Sequence, residues 1–291
     1  MRSALIVGTF ACLWITGFFG DRVEAQLALT LIFSFGLLHG ANDIQILRSM
    51  RPDTGRKNWN FRVVLSYILF VLGIGMLFVW LPGLALASFV MLSAYHFGEQ
   101  HWVSRLSHSP MTLARIVFTV YGLGILCLLF SFHPDEVLRI VRDISGYSLP
   151  DLWFGTAALI FLATSLLGVI FLLPRSQRYR HLPFEVFLLG VFAVVFSRAS
   201  LLWSFAIYFV LWHAIPSLAD QIRLLYGQVN RVNGLKYLKT SVLYWGASVG
   251  TLLVVLLLFR EGEYGFLPVF FSFLAAITFP HVLTMSGFLK R

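Results

Sequence analysis

The sequence is short of charge. Only 12% of its 291 residues are Asp, Glu, Lys or Arg, against 58% that are hydrophobic. A soluble domain carries about 25% charged residues, so a chain with half that share cannot cover a water-facing surface. A soluble enzyme is excluded. Disorder is excluded too, because a mean hydropathy of +0.82 is the opposite of the disordered signature. Cysteine is nearly absent: Cys12 and Cys127 lie inside apolar runs and offer neither a disulfide framework nor a Cys-based metal site. There is no internal repeat, heptad pattern or low-complexity tract, and the hydrophilic stretches, of which 133–151 is the longest, are too short for a separate soluble domain. The His-x-x-x-His and His-x-x-His-His clusters of a membrane di-iron desaturase are missing. So is the paired-Glu motif of intramembrane proteolysis, although His39 and Asp43 have the spacing of one protease motif. The net charge of +9 would suggest nucleic acid in a soluble protein. In a membrane protein the placement of basic residues matters more, and no nucleic-acid partner is expected.

What remains is apolar runs near the roughly 20 residues that a helical span needs. Ten are present: 3–20, 24–47, 62–80, 83–103, 112–132, 152–173, 182–197, 200–219, 238–259 and 264–286. The weakest is 182–197, which is short and contains Glu185. The expected fold is an all-α polytopic membrane helix bundle of about ten transmembrane helices (8–10), a single transmembrane domain over 1–291. Residues 1–20 also have signal-peptide features, with Arg2 ahead of an apolar run and a cleavage-like Val23-Glu24-Ala25. That run of about 18 residues is long for the purpose.

With ten spans and a cytoplasmic N-terminus, 17 of the 22 basic residues fall on one side. Only Arg22, Arg139, Arg142, Arg198 and Arg260 fall on the other, with eight of the 13 acids. The positive-inside rule therefore puts both termini in the cytoplasm.

Ionisable residues within spans are costly and mark function by default. Here they are His39, Asp43, His96, Glu99, His101, Glu185, His213 and His281. His39, His96, His213 and His281 lie on spans two, four, eight and ten, which all run the same way. The first cytoplasmic basic residue follows each by nine, nine, ten and nine positions, at Arg48, Arg105, Arg223 and Lys290. At 1.5 Å rise per residue each imidazole sits roughly 14 Å below the basic boundary, in one layer near the midplane. Four imidazoles at one depth can converge on a metal. Imidazole suits iron, zinc or copper, and four on an octahedral iron leave two positions for O₂ or substrate. The plainer reading gives each histidine a separate helix-to-helix hydrogen bond.

Asp43 follows His39 by four residues, so on a continuous helix its carboxylate can accept the ring N–H and fix the tautomer. Glu99 follows His96 by three and could orient a ligand or relay protons. His101 reads as interfacial, and His108, His133 and His181 as loop residues. Gly36 and Gly40 flank His39 at a spacing that lets helices approach. The 29 phenylalanines could line an apolar cavity.

The histidines sit in the strings LLHGANDIQ (37–45), SAYHFGEQHW (93–102), LWHAIPSL (211–218) and FPHVLTM (279–285). In these strings and their order across nearly the whole chain, the sequence resembles the Brp/Blh (bacteriorhodopsin-related protein) family of β-carotene 15,15′-dioxygenases. The resemblance implies an enzyme of the bacterial cell membrane. It would cleave β-carotene or a related carotenoid at its centre with O₂, at a His-ligated non-haem Fe(2+), to give retinal for a rhodopsin. It gives His39, His96 and His213 the iron-ligand role. The family's His-x-x-Pro-His is interrupted, since its second histidine is Ser217 here. His281, or else His101, then completes the set. The alternatives are a diverged membrane metal- or haem-binding protein, and a proton-coupled transporter with Asp43, Glu99 and Glu185 as its relay.

Overall fold

A computed structural model describes residues 2–50, 59–150, 153–258 and 265–288. The charge-count residues Arg51, Arg56, Lys57, Asp151, Arg260, Glu261, Glu263, Lys290 and Arg291 lie outside the described residues. Among the described residues every regular element is helical, as an apolar chain in hydrocarbon must be, since a helix satisfies its backbone within the segment. The fold is all-α.

Each expected run falls on helix. They are α1 (Arg2–Thr16), α2 (Asp21–Leu31) with α3 (Leu37–Gly40) and α4 (Asp43–Met50), α5 (Trp59–Trp80), α6 (Pro82–Trp102) and α7 (Met111–Phe132). After α8 (Pro134–Ser145) come α9 (Phe154–Leu172), α10 (Arg175–Arg198), α11 (Leu201–Ala206), α12 (Ile215–Tyr226), α13 (Arg231–Leu258) and α14 (Phe266–Phe288). Counting α2–α4 and α11–α12 as one run each, eight helices among the described residues are long and apolar enough to cross a membrane. Of the other two expected runs, α1 has 15 residues, and α6 has 21 but carries His96, Glu99, Gln100 and His101 in its last two turns.

Three details differ from the sequence reading. The run 24–47 is not one α-helix: Ile32–Gly36 is a π-helical segment, and a turn at Ala41 and Asn42 separates α3 from α4. A second π segment, Ile207–Ala214, joins α11 to α12 and contains His213. The hydrophilic stretch 133–151 holds a helix, α8, with Asp135 and Glu136 in its first turn and Arg142 in its last, charges that complement the helix dipole. It stops at Gly146, whose φ of 73° suits a residue without a Cβ. The weak run 182–197 is the apolar part of α10, whose N-terminal turns hold the basic Arg175 and Arg178.

The contacts divide into two compact units. Unit one comprises Met1–Ile32, Met91–Val137 and Pro150–Pro216, and unit two Phe33–Val90, Leu138–Leu149 and Ser217–Arg291. In unit one α7 lies along α9, with glycines where they approach: a Cβ on Gly124 or Gly168 would come within 2.6 Å of Leu162 or Val117. α1 packs on the second π segment, where the Trp212 indole donates to Thr9 Oγ1 at 2.9 Å. The Ser200 N–H, at the start of α11, donates to the buried Glu24 carboxylate at 2.8 Å. In unit two α14 packs against α5, α4 and α3, and α13 against α3 and α14.

Candidate functional site

Each unit holds one pair of the four histidines expected to share a layer. In unit two the His39 and His281 rings meet edge to face, 4.7 Å apart at 83°. In unit one the His96 and His213 rings do the same, 4.6 Å apart at 75°. All four side chains are buried. Both pairs have the ordinary geometry of an edge-to-face ring contact, which brings two side chains able to bind a metal together in each unit.

The π segments explain how two of these rings are aimed. A π turn inserts one residue and shifts every later side chain around the axis, and such bulges recur at functional sites. His39 follows one directly; its Nδ1 meets the Gly36 carbonyl. His213 lies within the other, with Phe209 stacked on its ring at 5.7 Å and Phe97 against its edge at 4.8 Å.

Asp43 does not serve the histidine that its sequence spacing suggested. The turn at Ala41 and Asn42 breaks the i to i+4 relation with His39. The carboxylate instead sits 2.8 Å from His281 Nδ1 through Oδ1, and accepts the Tyr67 hydroxyl at 2.8 Å through Oδ2. A ring that gives its Nδ1 proton to an acceptor carries its lone pair on Nε2, the form in which histidine binds a metal. The carboxylate holds His281 in that tautomer, and the Gly36 carbonyl does the same for His39. This donor chemistry fits a divalent first-row metal. Glu99 is buried and accepts the Tyr95 hydroxyl at 2.5 Å.

His101 is not a plain interfacial residue. Its Nε2 lies 2.7 Å from Glu185 Oε2, and Arg105 Nη1 donates to Oε1 of the same carboxylate at 2.5 Å. Glu185, with none of its surface exposed, is therefore a satisfied buried acid that ties α10 to the end of α6. Replacing it with leucine leaves Arg105 charged and buried, which costs about 3–5 kcal/mol. Thermal unfolding in detergent should show the loss, and adding Arg105→Met should recover part of it.

Tyr67 is uncharged within its span, and Gln221 and Tyr237 lie just beyond the runs 200–219 and 238–259, so neither charge nor hydropathy marks them. The spacing of Tyr237, Ser241 and Trp245 puts three hydrogen-bonding groups on one stripe of α13. His133, read as a loop residue, has Nε2 at 2.9 Å from the Phe196 carbonyl.

A family model described as β-carotene 15,15′-dioxygenase matches residues 30–289. A relative of that name from an uncultured marine bacterium, 66A03, is 26% identical over 187 residues. The aligned stretch covers 64% of this chain and 66% of that protein, just under two thirds of its length. No solved structure matches.

Proposed function

The chain belongs to the β-carotene 15,15′-dioxygenase family, and from that premise we propose that it cleaves a carotenoid at its central double bond with O₂, giving retinal. The observation that carries the reading is the pair of buried imidazole pairs, one in each unit. His39, His96, His213 and His281 would together hold Fe(II), a reading supported by their matched distances from the cytoplasmic basic residues. Bound Fe(II) supplies the activation of O₂ that cleavage requires.

The remaining work falls to the chain's own residues. Splitting an alkene with O₂ places one oxygen atom on each aldehyde and takes up no proton and no outside electron. Asp43 and Glu99 then need deliver nothing, and Asp43 acts by fixing His281. Phe97 and Phe209, against His213, give the polyene an apolar wall. A C40 carotenoid spans about the thickness of the hydrocarbon core, so histidines near the midplane meet the middle of an upright substrate. The enzyme would work in the bacterial cell membrane, drawing its substrate from lipid and supplying retinal to a rhodopsin.

The test is expression in a β-carotene-producing bacterial strain, with pigment and retinal followed by chromatography beside a His39→Ala control. Bleaching with retinal formation that needs His39 is the expected outcome. Undiminished colour beside well-expressed, iron-loaded protein would overturn the activity.

A further inference from the structure

Between Leu31 and Asp43 the chain leaves α-helical register twice, in the π segment and at the Ala41–Asn42 turn. Carbonyls disturbed this way inside a bilayer have no water to accept from, and neighbouring helices must supply donors. The supply here is specific. The Trp245 indole donates to the Phe33 carbonyl at 2.6 Å, and the Gln221 amide donates to the His39 carbonyl at 2.8 Å. Asn42 Nδ2 donates to Ser241 Oγ at 2.6 Å and toward the Tyr237 carbonyl at 3.3 Å. Tyr237, Ser241 and Trp245 follow one another by four residues along α13, so the interrupted segment is held by one helix stripe together with Gln221.

Gln221 is fully determined by its partners. Its Nε2 donates to the His39 carbonyl and, at 3.1 Å, to Ser217 Oγ. Its Oε1 accepts the Tyr237 hydroxyl at 2.7 Å, and that hydroxyl also lies 3.4 Å from the His39 carbonyl. A flipped amide would set oxygen against carbonyl oxygen, so only one orientation satisfies the set. Gln221, Ser217 and Tyr237 are all buried. Ser217, where the family pattern has its second histidine, is thus engaged in holding this amide.

We propose that Gln221 and Tyr237 are positioning residues for His39: they fix its backbone carbonyl, and with it the direction of the imidazole, so that metal affinity depends on them. The inference rests on His39 being a metal ligand. Outlying partners that orient a ligand typically change metal affinity 10–100-fold when removed, and that range sets the expectation.

The test is an anaerobic Fe(II) titration of the purified full-length wild type and the variants Gln221→Leu, Tyr237→Phe and His39→Ala. Bound iron is measured directly, and retinal formation is assayed at low and high Fe(II). Gln221→Leu should bind iron about 10–100-fold more weakly and recover retinal formation as Fe(II) is raised. Tyr237→Phe should shift the same way by less, because Gln221 still reaches the His39 carbonyl. Wild-type iron affinity in Gln221→Leu, with iron lost from His39→Ala, would overturn the positioning role and leave the ligand assignment standing. Iron retained by His39→Ala would remove the ligand assignment itself. A loss that excess Fe(II) does not restore would make the contact merely structural and overturn the proposal. If Gln221→Leu does not fold, Tyr237→Phe decides, since it removes a single oxygen atom: wild-type affinity there would overturn the proposal.

Discussion

His281→Ala should leave the purified protein without its metal and abolish retinal formation, a loss in metal affinity of more than about 100-fold, beyond the range for outlying partners. The ring is buried on α14, its Nδ1 is held by Asp43 at 2.8 Å, and it lies edge to face against His39. Position 217, where the family pattern offers a histidine, holds a serine hydroxyl already bonded to Gln221. Imidazole is the far better ligand for iron, which makes His281 the stronger fourth donor. His101, whose Nε2 faces Glu185, should be replaceable by alanine with the metal retained. Elemental analysis of the purified variants decides the matter; stoichiometric iron in His281→Ala would remove it from the ligand set.

The second large effect comes from a methyl group. At Gly98 an added Cβ would lie 2.5 Å from the Phe118 carbonyl carbon and 2.7 Å from its Cα, with the carbonyl oxygen nearer still. Gly122 is the reciprocal notch, meeting the backbone of Ala94 at the same two distances. Backbone atoms cannot rotate away as a side chain can, so α6 and α7 must part by roughly 1 Å to reach ordinary contact. Gly98→Ala should therefore cost about 3 kcal/mol or more, at the upper end for overpacking. Because His96 precedes Gly98 by two residues, the displacement also pulls its ring away from His213. Melting temperature and bound iron should fall together. Gly40→Ala is the control: its Cβ would sit 3.6 Å from His281 Nδ1, an ordinary contact, and both quantities should hold. An unchanged melting temperature in Gly98→Ala would show that the two helices are free to separate.

The sequence carried the helical class because hydropathy finds apolar helices, and it marked the four histidines that the structure buries. It could not carry the partners. Asp43 reads as the companion of His39 only if the helix between them is continuous, and Gly40 and Asn42, which favour a turn, do not by their kind decide whether the helix runs on. The Gly36 and Gly40 pair has the spacing of a helix contact, and Gly40 does face His281 on α14, whereas the tight notches at Gly98 and Gly122 are revealed only by the neighbouring backbone. Glu185 was visible as an anomaly, yet its explanation lies 80 residues away at Arg105. Gln221 and Tyr237 were legible as polar residues near or within spans, but hydrogen bonding to carbonyls leaves no mark on charge.

The π segment at Ile207–Ala214 has a bearing on how such a protein can change. One residue adds about 100° of rotation in an α-helix, so a wide turn that absorbs an extra residue stores a rotation in the length of the chain. The facing of His213, and of everything after it on α12, is therefore written in the number of residues rather than in their kinds. A lineage could re-aim that helix by losing one amino acid there, and no series of side-chain exchanges would reach the same end.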